Sequence, residues 1–168
     1  MSRTTWSNVD AERLEISDGN TAVCVKQGGA AAAFGDPILA SGRHSWTIKI
    51  AASFEASGDG MLIGVAEAAE DGKGKCWGLY PLTGQVYTST NGGLTLGAST
   101  KAKPVAAPLR GGAAAGALVR VTADLDRHTL AFAVNDGSDV DSGVTLPAQI
   151  RPYALLCFEG DVLQFVET

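Results

Sequence analysis

The chain has 168 residues, enough to bury a hydrophobic core without disulfides or a structural metal. Hydrophobic residues make up 45% and charged residues 18%, which excludes a disordered chain and argues against one built of membrane spans. Thirteen Lys plus Arg against eighteen Asp plus Glu give a net charge of -5, so the dense cationic face that nucleic acid requires is missing.

The N-terminal MSRTTWSNVD lacks the apolar stretch of a signal peptide, and no run approaches the ~18–20 apolar residues that span a bilayer. The expectation is a soluble, cytoplasmic protein with neither a membrane nor a nucleic acid as partner. Cys24, Cys76 and Cys157 are odd in number and widely spaced, which suits neither a disulfide framework nor paired zinc ligands and fits a reducing compartment.

Taken in chain order, short runs rich in Val, Ile, Leu, Trp and Phe alternate with DG, NG and GG steps, the punctuation of many strands. Leu14 and Ile16 precede the turn Ser17-Asp18-Gly19-Asn20, after which alternation resumes through Val23 and Val25, predicting a hairpin. The Ala-rich stretches at 30–33 and 113–117 lack an apolar stripe and read as loops or a single turn. In Trp46-Thr47-Ile48-Lys49-Ile50 every second residue is apolar, a half-buried strand with Trp46 in the core. Residues 61–66 and 153–158 are continuous apolar runs, as expected of central strands covered on both faces. Residues 97–116 read as a long surface connection with at most one short edge strand. Val119, Val121 and Ala123, then Leu130, Phe132 and Val134, predict a second hairpin turning at Asp126-Arg127-His128, and residues 162–166 a closing strand. Strands spaced at ~8–12 residues with no helices between them predict a sandwich of two antiparallel sheets.

Candidate chemistry is sparse. His44 and His128 are the only imidazole bases and read as solvated, G-x-S-x-G is absent, and a hydrolase would need Cys76 or Cys157 brought against one of them. The acidic stretch around Asp136, Asp139 and Asp141 has the oxygen-rich composition of a cation loop but not the order of an EF-hand, and reads as a solvated hairpin loop. Asp124 and Asp126 fit a turn in which Asp bonds the local backbone. Glu70-Asp71-Gly72-Lys73-Gly74-Lys75 lacks the order of a phosphate loop and reads as an exposed loop, with protein contact or simple solvation equally open. No cofactor and no metal site is expected.

Four blocks together resemble the SPRY domain family: Ser41-Gly42-Arg43-His44-Ser45-Trp46-Thr47-Ile48; Ile63-Gly64-Val65-Ala66; Trp77-Gly78-Leu79; and the stretch at 121–135, with Asp124-Leu125-Asp126, Leu130-Ala131-Phe132 and Val134-Asn135. Ile150-Arg151-Pro152-Tyr153-Ala154 follows at the matching distance, so the likeness runs from about Trp6 to the C-terminus. The resemblance implies one domain over 1–168, with N-terminal strands at 6–40 and the core at 41–168. It further implies an all-β, bent β-sandwich of the concanavalin-like kind, with no catalytic centre, used as an interaction module or adaptor for a partner protein or short peptide. Loops on a rigid frame are a common way to arrange such binding.

The resemblance places the ligand surface at 28–37, 67–75, 85–88 and Phe158. The partner-binding candidates are Phe158, Glu159, Tyr87, Glu67, Lys73 and Lys75. For Phe158 the alternatives are an exposed anchor at a turn or a cap on the core; Tyr87 is likewise surface contact or packing, and Trp77 falls in a core block. The early loop Gly28-Gly29-Ala30-Ala31-Ala32-Ala33-Phe34 lacks the Arg and Pro that family members binding Asn-rich peptides present there. Within these 168 residues no RING, B-box, coiled-coil or SOCS segment is expected. A lectin-like carbohydrate-binding sandwich is the alternative function, and it would need an aromatic platform or a calcium loop near Asp139.

Overall fold

A computed structural model describes residues 3–26, 28–69, 74–89, 104–109 and 112–167. Among these residues, alternation becomes strand after strand: β1 (Thr5–Val9), β2 (Leu14–Ser17), β3 (Thr21–Cys24), β4 (Ala31–Asp36), β5 (Arg43–Ala52), β6 (Met61–Glu67) and β7 (Cys76–Tyr80). After them come β8 (Gln85–Ser89), β9 (Leu118–Asp124), β10 (Thr129–Val134), β11 (Val140–Thr145), β12 (Ile150–Leu156) and β13 (Val162–Val166). A single 3-10 turn, Phe54–Ala56, joins β5 to β6.

The strands form two antiparallel sheets, ordered β1-β4-β12-β6-β7-β8 and β11-β10-β9-β5-β13-β3-β2. The main core lies between them. Trp46, Ile48 and Ile50 point inward from β5 as their alternation requires, and meet Ile63, Val65, Ala154 and Leu156 of the other sheet in one cluster. Trp6 on β1 and Phe165 on β13 close one side of the sandwich, with ring centroids 4.2 Å apart. The continuous apolar runs occupy β6 and β12, the two middle strands of the first sheet, and there they are buried on both faces. Leu62, Ala66, Cys76, Tyr153 and Leu155 form a second apolar layer on that sheet's outer face.

The hairpins β2–β3 and β9–β10 pair in register, while β10–β11 pairs with a register shift between Thr129 and Ala131. In the first, the inward face is Ala22 and Cys24, while Val23 is half-buried and Val25 exposed. Two expectations are corrected. The Ala-rich stretch at 30–33 is no loop: β4 lies between β1 and β12, with Ala31 and Ala33 buried, because a sheet position and close packing override the low strand propensity of alanine. Parts of the expected surface connection at 97–116 are tucked inward: Val105, Leu109 and Ala114 are buried, and Val105 and Leu109 donate N–H bonds to Gly84 O and Pro81 O. The rest of that connection, 97–103 and 110–111, lies outside the described residues.

Candidate functional site

The turn that follows β12 carries Phe158. Tying this turn down is Asp161, fully buried, whose carboxylate reaches two segments at once: Phe54 N–H donates to Oδ1 (2.9 Å) and Phe158 N–H to Oδ2 (3.3 Å). Its main chain is held as firmly, since Cys24 N–H donates to Asp161 O (2.9 Å) and Gly160 N–H to Cys24 O (2.8 Å). The consequence is an aromatic pair. Phe54 and Phe158 stack with centroids 4.4 Å apart and planes 20° from parallel, Phe158 half-buried and Phe54 44% exposed.

The segment bearing Phe54 is built to hold that ring out. Ser53 Oγ accepts the Gly58 N–H (3.0 Å), and Glu55 and Ala56 both sit at left-handed φ, 53° and 50°, a conformation that costs energy for residues with a Cβ. Gly60 makes the pairing possible from below, because a Cβ there would stand 2.5 Å from Phe158 Cε2. Beside the pair, Tyr80 donates its hydroxyl to Asp59 and packs against Tyr87 at 5.4 Å, and Tyr87 donates to Gln85 Oε1 (3.3 Å). Burial together with the Asp59 bond pushes the Tyr80 phenol up to about 12, so it remains a donor at neutral pH.

The structure divides the sequence-predicted candidates. Phe158 and exposed Glu159 lie at the Met61 end of the first sheet, where Leu156 pairs with Met61. Tyr87 is half-buried on the outer face of edge strand β8. Glu67 and Lys75 lie at the opposite end, where Glu67 pairs with Ile150 and its N–H donates to Lys75 O (2.8 Å). Six residues of strand separate the two ends, about 20 Å. Lys73 lies outside the described residues. Of the early segment at 28–37, most is the paired strand β4; from it Phe34 reaches the outer face, 5.7 Å from Tyr153 and beneath the Arg151 guanidinium at 5.8 Å. Phe54 is the residue that sequence reasoning missed. Its flanking Ser and Glu look like any loop, and no local pattern announces a ring partner so far along the chain.

Other candidate chemistry resolves into structural roles. Burial pushes the Cys76 thiol up to about 12 and the Cys157 thiol up to about 11, so both are protonated and weakly nucleophilic at neutral pH. The histidines donate elsewhere, His44 Nε2 to Ser41 O (2.7 Å) and His128 Nδ1 to Leu146 O (3.0 Å). Asp139, the centre of the suspected cation loop, is committed to Arg120, whose Nε and Nη2 reach Oδ1 at 3.0 and 2.9 Å, with Arg43 at 3.7 Å. Among the described residues no group of three or more His, Cys, Asp or Glu side chains is placed to hold a metal ion. Asp124 Oδ1 caps the turn by accepting from Asp126 and Arg127 N–H, and Asp126 Oδ1 accepts from Gly42 N–H. Among the described residues no helix is long and apolar enough to cross a membrane.

Burial holds the Asp161 pKa above the ordinary value of 3.8, against the N–H donors of Phe54, Phe158 and Cys157, which lower it; the Asp59 charge raises it further. The unfolded chain releases this proton at the ordinary value while the folded chain keeps it to higher pH. The stabilisation tied to this group is therefore greatest below 3.8 and declines as pH rises through the folded value. Asp161→Asn removes the ionisation and keeps one acceptor. Urea unfolding from about pH 3 to about pH 7 should show the difference between variant and wild type moving in the variant's favour as pH climbs. A difference independent of pH would mean that the carboxyl is not held in a desolvated place.

Two solved structures share the architecture. The SPRY domain of human HERC1 matches with a TM-score of 0.67 at 16% identity, over 96% of this chain and 98% of its own. The PSpry domain of TRIM65 matches with a TM-score of 0.63 at 15% identity, over 99% of this chain and 93% of its own. No family model matches the chain, and no curated protein matches its sequence. The likeness is one of fold: an all-β, bent sandwich of two antiparallel sheets, of the SPRY, concanavalin-like kind.

Proposed function

We propose that the domain is a non-enzymatic interaction module that binds a partner protein or a short peptide through the loops at one end of its first sheet, with Phe158 at the centre. The observation that carries this reading is the Asp161 carboxylate gripping both Phe54 and Phe158, which keeps a large apolar pair part-exposed and rigid. Rigid aromatic anchors lose little entropy on binding, and anchors of this type dominate interface energetics. Glu159 borders the anchor and Tyr87 extends the surface across the outer face. An extended segment of about six residues, at ~3.3 Å each, would continue to Glu67 and Lys75 at the far end.

Phe158→Ala is the test. Because the ring is half-buried, the expected stability loss is about 1–2 kcal/mol, below the ~3–5 kcal/mol of a core aromatic, so the variant should remain folded. Proteins captured by the wild-type domain and lost with the variant would then be produced separately and titrated, with an expected weakening of about 30-fold or more. Equal affinity for wild type and variant would remove Phe158 from the interface.

A further inference from the structure

The surroundings of the aromatic pair carry a charge bias. Each ring is followed in the chain by an exposed carboxylate, Glu55 after Phe54 and Glu159 after Phe158. Asp59 stands close enough to act on Cys157 and Asp161, and accepts the Tyr80 hydroxyl. Asp161 lies beneath, with both oxygens taken by the two backbone N–H groups. On the cationic side, among the described residues, stand Arg13 and Lys26. Arg13 is close enough to act on Cys24 and Cys157, but its guanidinium donates to Ala30 O (3.3 Å) and fills the space at Gly29. Lys26 is exposed and follows the Cys24 strand, its carbonyl accepting the Cys24 thiol. Among the described residues, carboxylates thus outnumber cations at this end, on a chain whose net charge is already -5.

Resting on the reading above, we propose that the Phe54–Phe158 stack receives an arginine or lysine side chain of an extended partner segment, with Glu55 and Glu159 flanking it. Aromatic faces carry negative quadrupole potential, and a cation laid over them keeps its charge near carboxylates while its aliphatic stem covers the rings. A purely apolar partner would bury the same rings but leave two exposed carboxylates at the rim of a drying interface. An acidic partner would meet repulsion from both.

The probe is a set of immobilised, unstructured peptide pools of random flanks in which the central residue is fixed as Arg, Lys, Leu or Glu. The full chain and its Glu55→Gln/Glu159→Gln, Phe54→Ala and Phe158→Ala variants are passed over each, after melting curves establish that all are folded. Retention on Arg and Lys pools is expected to exceed that on Leu and Glu pools. It should weaken about two- to fivefold in the double Gln variant and in Phe54→Ala, and fall as ionic strength rises. Preferential, salt-independent retention on Leu pools, lost with Phe158→Ala, would overturn the cationic assignment and leave the interaction surface standing. The same holds if the double Gln variant binds as wild type does. No retention of the wild-type chain on any pool would count against both.

Discussion

Phe132→Ala is expected to lose about 3–5 kcal/mol of unfolding free energy, a large share of the ~5–15 kcal/mol that holds most domains folded. Phe132 is fully buried and lies in one row across three strands, where Trp46 pairs with Val121 and Val121 with Phe132. Its strand is hydrogen-bonded on both sides, to β9 and β11, so the backbone cannot collapse into the space a ring vacates. Urea unfolding should show a lower midpoint with an unchanged slope, and a change under ~0.5 kcal/mol would place the ring outside the core. Trp46→Ala at the other end of the row should cost less than its size suggests. Its indole N–H is buried with no acceptor among the described residues, so truncation also relieves a desolvated donor.

Gly64→Ala should damage the domain by the opposite route. Gly64 faces Gly78 across β6 and β7, and a Cβ on Gly64 would overlap the Trp77 carbonyl oxygen and stand 2.8 Å from the Gly78 Cα. Both obstacles are backbone, with no rotamer to turn aside, so the two strands must part. β6 is a middle strand, and the disturbance reaches β12 as well as β7. The expected loss is at least the ~1–3 kcal/mol of ordinary overpacking, together with faster amide exchange along the β6–β7 ladder. Wild-type stability and wild-type protection in this variant would mean that the strands are not so closely apposed.

The Gly64–Gly78 contact and the Phe132 row differ in how they could be foreseen. Alternation at Trp46, Ile48 and Ile50, and at Leu130, Phe132 and Val134, is a local record of which face turns to the main core, because successive strand residues point to opposite faces. The continuous runs at 61–66 and 153–156 likewise record burial on both faces and lie in the middle strands, while Cys157 and Phe158 at the end of the second run fall in the turn after β12. The hairpin at 118–134 could be read from the Asp-rich turn because Asp124 caps it with its own side chain.

The candidate site was legible only in part. Phe158 stood out as a large ring at a turn after a buried run, yet its partner Phe54 is bound to the same carboxylate from 107 residues away. β4 could not be read from its alanines, since its strand conformation comes from its neighbours β1 and β12. The sequence by itself determined that this chain folds as antiparallel sheets, because period and turn chemistry are properties of neighbouring residues. Only the tertiary structure decided that Phe54 stacks on Phe158 and that Glu67 and Lys75 sit at the other end of the sheet. Strand order and ring pairing are set by long-range contacts, which local pattern does not encode.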